Sequence, residues 1–146
     1  MPHYHRIVLY FDGASRNNPR GPAGCGWALY EMNDYGADSR LIASASEFLG
    51  NNISNNQAEY EGLERGLQYI ANNLDCHGLY IRGDAEIVIR QMEGKYQVRS
   101  NNILPYYVCA RSELSRIDCE FYKFRHIPRV RNYYADYLAN EAIERG

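Results

Sequence analysis

Four acidic residues stand in local contexts that suit metal-dependent chemistry. Asp12 and Asp84 each follow a short apolar run that is typical of a β-strand, whereas Glu59 and Asp136 each lie near the start of an amphipathic segment. Carboxylates at strand ends and near helix starts can converge at one edge of a sheet. Hard divalent cations need such an oxygen-rich cluster, and a pair of cations suits in-line displacement at a phosphodiester.

None of these acids is a specific signal when it is taken alone, because an Asp after a strand is more often a turn former or a helix cap. Glu59 is the strongest of the four. It lies at the N-terminal end of an apolar stripe that continues through Leu63 and Leu67 at helical spacing. A carboxylate in that position is costly for a structural residue and natural for a cation ligand. The combination of four acids in such contexts carries the prediction.

Length and composition indicate one globular domain, residues 1–146, with 45% apolar and 23% charged residues. The net charge of -2 argues against a protein that binds nucleic acid through a global positive field. Bound cations and a local basic patch could still offset the repulsion. The four cysteines are scattered without a C-x-x-C motif, which argues against a zinc or redox site and favours a reducing compartment.

The sequence has no apolar run of transmembrane length, and its first residues do not resemble a signal peptide. We therefore expect no membrane association. We also expect the protein to be a monomer. The expected location is the cytoplasm, or the nucleus if the host is a eukaryote.

The hydrophobic pattern predicts five strands and four helices. The strands are Arg6–Phe11, Cys25–Glu31, Leu41–Leu49, Leu79–Gly83 and Glu120–His126. The first helix starts near Asn56, and the other three run over Ala85–Glu93, Tyr106–Ile117 and Asn132–Arg145. Two segments are predicted to be loops, Asp12–Ala23 and Gly94–Pro105. This order of elements predicts an α/β domain with a mixed sheet, in which the first three strands form an antiparallel meander.

The motifs around the four acids resemble those of type 1 ribonuclease H, and the resemblance covers nearly the whole chain. Five pieces carry it in order: Asp12–Pro19 with Gly21–Gly24, Asn55–Tyr60, Gly83-Asp84, Gln91–Tyr96, and His126–Ala139. The resemblance implies a ribonuclease H-like five-stranded sheet, three antiparallel strands followed by two parallel ones, flanked by helices. It also implies an endonuclease that cuts the RNA strand of RNA–DNA hybrids and leaves 5′-phosphate and 3′-hydroxyl ends.

The family's metal-binding carboxylates map onto Asp12, Glu59, Asp84 and Asp136. The resemblance implies two Mg²⁺ ions there, about 3.5–4 Å apart, with Mn²⁺ as a substitute. The family's mobile histidine, which helps the product to leave, maps onto His126. Without the resemblance, His126 would be interpreted as a surface residue at a strand end.

Substrate choice must depend on the 2′-OH, which distinguishes RNA from DNA. Gly13 and Asn18 lie in the first predicted loop, where bare backbone and a short amide could approach a ribose. Asn55 and Asn56 match family positions that contact both strands, and Ser54 falls where the family places a contact to a DNA phosphate. Ser54, Asn55 or Asn56 could equally cap the helix.

The chain departs from the family pattern in three places. Arg20 is inserted between Pro19 and Gly21, Glu86 stands two residues after Asp84, and the segment after Gly94 has no room for a Lys/Arg-rich protrusion. Glu86 could weaken substrate binding, or it could form an outer-shell contact to a metal ion. The basic candidates for substrate contacts are Arg16, Lys95, Arg99, Arg125, Arg129 and Arg131. Most of them could equally be solvated surface charges.

Two alternatives to this interpretation remain: a non-catalytic nucleic-acid-binding module and a DNA-directed nuclease on the same fold. The presence of all four acids argues against the first. The Gly13, Asn18, Asn55 and Asn56 positions argue against the second, because they suit ribose recognition. The sequence is compatible with a free-standing enzyme and with a domain of a larger polyprotein.

Overall fold

The computed structural model describes the whole chain, Met1–Gly146, and places five strands in one mixed sheet. The strands are β1 (His3–Ser15), β2 (Pro22–Met32), β3 (Asp38–Asn51), β4 (Asp75–Gly83) and β5 (Cys119–His126). Their order across the sheet is β3-β2-β1-β4-β5. The pairs β1/β2 and β2/β3 are antiparallel, whereas β1/β4 and β4/β5 are parallel. The predicted sheet, with three antiparallel strands followed by two parallel ones, is confirmed.

Four helices cover the two faces of the sheet. They are α1 (Asn55–Asn73), α2 (Glu86–Met92), α3 (Leu104–Arg116) and α4 (Tyr133–Arg145), and a short 3-10 turn at Arg129–Arg131 precedes α4. α1 contacts β1, β2 and α3, whereas α4 contacts β1, β2 and β3. None of the helices combines the length and apolar character that crossing a membrane requires.

The main core lies between the sheet and the α1–α3 layer. β1 contributes Ile7, Leu9 and Phe11 to it, and α1 contributes a stripe that includes Leu63 and Leu67; all five side chains are fully buried. The alternation of a strand sends the neighbouring residues of β1 to the other face. Asp12 follows Phe11 directly, so the apolar anchor of the strand fixes where its carboxylate lies.

The predicted loop Asp12–Ala23 is wrong at both of its ends. β1 continues to Ser15 and β2 begins at Pro22, so that the two strands form a hairpin whose ladder runs from Asp12 opposite Gly26 to Ser15 opposite Ala23. Only residues 16–21 connect them. Small residues dominate this stretch because helices pack directly on its backbone. That requirement lowers local strand propensity, and the sequence therefore resembled a loop.

Gly26 shows how closely α4 lies on the sheet. A Cβ atom at this position would be 2.6 Å from Cβ of Leu138 and 2.7 Å from the carbonyl oxygen of Ala135. Such distances are too short for any side chain, so only glycine lets the helix approach. The approach brings the first turn of α4, with Asp136, up to the strand pair that carries Asp12.

Candidate functional site

Three carboxylates form a compact cluster where β1, α1 and β4 meet. One ligand oxygen from each of Asp12, Glu59 and Asp84 lies within 4.8 Å of the other two. Asp12 is only 4% exposed and Glu59 only 8% exposed, whereas Asp84, directly after β4, is half-buried. The structure therefore brings together three of the four acids that the sequence singled out, although they are far apart along the chain.

The start of α1 positions Glu59. Ser54 is the N-cap: its hydroxyl oxygen accepts the backbone N–H of Gln57 at 3.1 Å, and the Gln57 side chain accepts the backbone N–H of Ser54 at 2.9 Å. This reciprocal capping box satisfies two otherwise unpaired donors and fixes where the helix begins. Of the three predicted caps, Ser54 is the one that the structure supports, and Asn55 and Asn56 are the first two helical residues.

Gly13 lets this helix reach the sheet. A Cβ atom on Gly13 would lie 2.2 Å from the carbonyl carbon of Ala58 and 2.3 Å from the backbone nitrogen of Glu59. The Gly13 backbone N–H also donates to Oδ1 of Asp12 at 2.9 Å. Glycine is thus required here because the helix backbone touches the strand backbone. A contact between Gly13 and a ribose stays a prediction.

Asn132 holds the third carboxylate. Its side-chain N–H groups donate to the carbonyl oxygen of Phe11 and to Oδ1 of Asp84, both at 2.9 Å. Asn132 is 2% exposed, so these bonds are made in a low-dielectric environment where each is hard to replace. A single amide therefore ties the end of β4 to β1 beside Asp12. The sequence interpretation included Asn132 within a motif but assigned it no role.

Asp136 lies in the same cleft but outside the compact cluster. The cleft is lined by residues of β1 and α1, of the segments that follow β1 and β4, and of the 3-10 turn and α4: Asp12, Gly13, Ala14, Ser15, Arg16, Asn55, Asn56, Glu59, Asp84, Ala85, Arg129, Asp136 and Asn140. Arg129 approaches Oδ1 of Asp136 at 3.4 Å, and the Asn140 side chain donates to the same oxygen at 3.3 Å. The Asp136 carboxylate is 30% exposed and thus more accessible than Asp12.

The crowding of acids changes their protonation. The pKa of Asp12 is raised from its ordinary 3.8 to about 7. Burial is the largest cause, a hydrogen bond with Glu59 opposes it, and the neighbouring charges of Asp84 and Asp136 add to it. Burial also raises the pKa of Glu59 well above its usual range, and the charge of Asp12 adds to this. Desolvation and like charges both disfavour the ionised form.

The donor set fits a divalent cation. Oε2 of Glu59 is buried without a hydrogen-bond partner, although a buried carboxylate oxygen normally has one. Carboxylate oxygens are the ligands that hard cations such as Mg²⁺ and Mn²⁺ prefer. A cation among Asp12, Glu59 and Asp84 would partner the orphan oxygen and offset the repulsion that raises the pKa values.

The predicted substrate-binding residues form one framework beside the cluster. The Asn55 side-chain oxygen accepts the backbone N–H of Ser15 at 2.8 Å, and the Asn18 side-chain oxygen accepts the backbone N–H of Asn55 at 3.0 Å. Asn18 and Asn55 thus lock the β1–β2 connection onto the start of α1. Asn56 is exposed and lines the cleft, and its amide has no hydrogen-bond partner within the chain. Of the predicted residues, Asn56 is therefore the best placed to meet a ligand.

His126 lies outside the cleft. It is the last residue of β5, pairs with Gly83 across the sheet and is exposed. The next residue, Ile127, donates its backbone N–H to Gly83 at 2.9 Å. His126 therefore flanks the strand end that leads to Asp84 but does not line the cleft. This position is compatible with a role beside the acids, and the role itself stays a prediction.

Glu86 also lies away from the cluster. It is exposed in the first turn of α2 and faces Arg90 at 3.5 Å, four residues along the helix. It does not line the cleft, so an outer-shell contact to a metal, one of the two roles considered for it, has no support in the structure. Of the basic candidates, Arg16 and Arg129 line the cleft. Asn132 and Asn140 are the site residues that the sequence analysis missed, since a polar residue before or inside a helix carries no distinct pattern.

Comparison with known proteins gives a consistent result. A family profile described as reverse transcriptase-like matches residues 10–142, which include all four acids. The Ribonuclease HI of Halobacterium salinarum is 36% identical over 139 residues, covering 95% of this chain and 65% of that protein. The bifunctional protein Rv2228c of Mycobacterium tuberculosis is 36% identical over 142 residues, covering 95% of this chain and 36% of that protein. The chain therefore spans less than two thirds of the length of these relatives.

Two crystal structures are similar over almost their full length. RNase H1 from the halophilic archaeon Halobacterium salinarum superimposes with a TM-score of 0.83 at 35% identity, covering 97% of this chain and 99% of that one. LC11-RNase H1, solved in complex with an RNA/DNA hybrid, gives a TM-score of 0.81 at 33% identity, covering 95% and 97%. The similarity thus includes both the sheet and the helices that position the cleft.

Proposed function

Since the chain belongs to the type 1 ribonuclease H family, we propose that it is a metal-dependent endonuclease that hydrolyses the RNA strand of RNA–DNA hybrids. The observation that carries this proposal is the cluster of Asp12, Glu59 and Asp84, whose ligand oxygens lie within 4.8 Å of one another. A relative of similar fold was solved with an RNA/DNA hybrid, which supports the same substrate class for this chain.

The four acids are proposed to hold two Mg²⁺ ions, with Mn²⁺ as a substitute. Asp12, Glu59 and Asp84 would provide the inner ligands, and Asp136 would complete the set from the first turn of α4. When bound, such ions activate water and stabilise the charge on the leaving oxygen in phosphodiester hydrolysis. The oxygen of water joins the phosphorus and the bond to the 3′-oxygen breaks, so the proposed products carry a 5′-phosphate and a 3′-hydroxyl.

The protein's own contribution is to hold these oxygens in place before substrate arrives. Asn132 fixes Asp84 against β1, and the Gly13 N–H fixes Asp12. Burial of Asp12 and Glu59 excludes water from the inner side of the cluster, which strengthens electrostatic interactions there. Pre-positioned charges of this kind need no reorganisation during the reaction.

Recognition of the hybrid is proposed to occur along the edge of the cleft where α1 begins. Asn56 has an amide that can both donate and accept a hydrogen bond, as reading a ribose or a groove edge requires. Arg16 and Arg129 are the positive charges at the cleft, and both already face acids: Arg16 approaches Glu144 at 3.7 Å and Arg129 approaches Asp136. We therefore expect modest affinity that falls as salt rises. A monomeric, cytoplasmic protein is part of the same proposal.

The test is a cleavage assay on four duplexes of one sequence: the hybrid labelled on its RNA strand, the hybrid labelled on its DNA strand, RNA–RNA and DNA–DNA. Cutting is expected only of the RNA strand in the hybrid, and only with Mg²⁺ or Mn²⁺. Asp12→Asn is the matched inactive control. Cleavage of DNA would indicate the DNA-directed nuclease. Binding of the hybrid without cleavage in either metal would indicate a non-catalytic module.

A further inference from the structure

Three of the chain's four histidines lie together where β1 and β4 begin, at the end of the sheet opposite the acidic cluster. His3 and His5 are alternate residues of β1, and His77 lies beside them near the start of β4. β1 and β4 are parallel, so their first residues lie at the same end of the sheet, and the carboxylates lie at the other end. Seven residue positions separate His77 from Asp84, which corresponds to roughly 23 Å along a strand. The histidine group is therefore remote from the proposed catalytic site.

The rings of His5 and His77 are close together, and all three histidines are reachable from solvent. The rings of His5 and His77 stack with their centroids 4.9 Å apart and their planes within 4°. The His3 side chain is 63% exposed and that of His77 is 37% exposed. Neighbouring strands lie about 4.8 Å apart, so histidines side by side on them can reach a common ion. The His5 side chain is exposed and can turn about its side-chain bonds to do so.

Two of the three rings, those of His3 and His77, each contact a carboxylate through Nδ1. Asp75 contacts Nδ1 of His3, and Glu120 contacts Nδ1 of His77. An ionised carboxylate only accepts hydrogen bonds, so Nδ1 must carry the hydrogen, and Nε2 of a neutral ring is left with its lone pair. Carboxylates bound in this way to the second nitrogen are the usual outer partners of metal-binding histidines. The Asp75 and Glu120 contacts are thus an observation separate from the clustering of the rings.

Glu120 interacts electrostatically with all three histidines. The pKa of Glu120 is lowered, first by its hydrogen bond to His77 and then by the charges of His77, His3 and His5. All three histidines therefore lie within electrostatic reach of one carboxylate at the start of β5. Imidazole nitrogens select zinc, nickel and copper ions, whereas Mg²⁺ prefers oxygen ligands. The two ends of the sheet thus present donor sets for different classes of metal.

We propose that His3, His5 and His77 bind one divalent transition-metal ion of the zinc, nickel or copper class, with Asp75 and Glu120 orienting two of the rings. The ion would join the first residues of β1 to those of β4.

The experiment is a titration of the full chain with Zn²⁺ at pH 7.5, followed by calorimetry, with millimolar Mg²⁺ present to occupy the acidic cluster. One Zn²⁺ per chain is expected. His77→Gln should weaken binding at least ten-fold, and Glu120→Gln should weaken it about ten-fold through loss of ring orientation. His126→Gln is the matched control, because it removes the one histidine outside the group, and it should bind as the wild type does.

A second measurement keeps the test independent of calorimetry. Co²⁺ bound through imidazoles should give visible absorption bands, which His77→Gln should abolish and His126→Gln should retain. If His77→Gln is not folded by circular dichroism, His5→Gln takes its place, since His5 is exposed. Unchanged Zn²⁺ affinity in the histidine variant, equal loss in the His126 control, or no stoichiometric Zn²⁺ binding by the wild type would each overturn the proposal.

Discussion

Replacing Asp12 by Asn should stabilise the metal-free protein at neutral pH while it destroys the proposed active site. Folding raises the pKa of this carboxyl from 3.8 to about 7. A raised pKa in an acid means that the folded state binds the proton more tightly than the unfolded state does. Stability is therefore lost as the pH rises from about 4 to about 7, and the loss is complete above pH 7.

The size of the effect follows from the shift. A change of about three pKa units at about 1.4 kcal/mol each gives about 4 kcal/mol as the cost of ionising Asp12 in the folded state. Asn avoids the charge and keeps an oxygen that can accept the Gly13 N–H. The amide still loses its hydration on burial, so the net gain should be about 2–4 kcal/mol. For a domain of this size that corresponds to a melting temperature about 5–15 °C higher.

The assay is thermal or urea unfolding of wild type and Asp12→Asn at pH 4, 5, 6, 7 and 8, in EDTA and in millimolar Mg²⁺. In EDTA the variant should match the wild type at pH 4 and exceed it increasingly up to pH 7. Mg²⁺ should stabilise the wild type by mass action and narrow the difference. A wild type that is as stable as the variant at pH 8 in EDTA would refute the claim that the cluster is under electrostatic strain.

Three further predictions concern single residues of the site. His126→Ala should slow multiple-turnover cleavage more than single-turnover cleavage, because the residue flanks the cleft without lining it; equal losses would place it in the chemical step. Asn56→Ala should raise KM for the hybrid by roughly ten-fold, because one or two polar contacts are lost, and it should not lower the melting temperature. Ser54→Ala should instead cost about 1 kcal/mol of stability, because Ser54 is the helix cap. A lower melting temperature with unchanged KM in Asn56→Ala would reverse these assignments. Asn132→Ala should raise the Mg²⁺ concentration needed for half-maximal activity by roughly 10–100-fold; an unchanged Mg²⁺ requirement would show that Asp84 holds its position without the amide.

The sequence predicted the sheet and the converging acids because each has a local signature. Asp12 and Asp84 follow apolar strands, and Glu59 starts a buried helical stripe, so the pattern showed that they can converge. That they form one metal site was implied by the resemblance to ribonuclease H. The extent of β1 and β2 could not be predicted. Gly13 and Gly26 weaken the strand pattern, and their requirement for close helix approach is visible only in three dimensions.

The hydrogen bonds that support the site could not be predicted from the sequence either. Asn132 bridges Phe11 and Asp84, residues that precede it by 121 and 48 positions, and no local pattern encodes such long-range bonds. The choice of Ser54 over Asn55 and Asn56 as the cap was equally undetermined, because all three residue types are good caps. The Gln57 side chain completes a capping box with Ser54, and this partner is the signal that could have decided it.

The position of β1 at the centre of the sheet has a consequence for biosynthesis. β1 is translated first, and β2 can pair with one of its edges at once, but its other edge pairs with β4, whose residues are 75–83. At about 5–20 residues per second, the ribosome leaves that edge open for several seconds. An unpaired, apolar central strand is a template for association with other chains. We therefore expect nascent chains truncated before β4 to depend on chaperones for solubility, and chains extended through β5 to be released from that dependence.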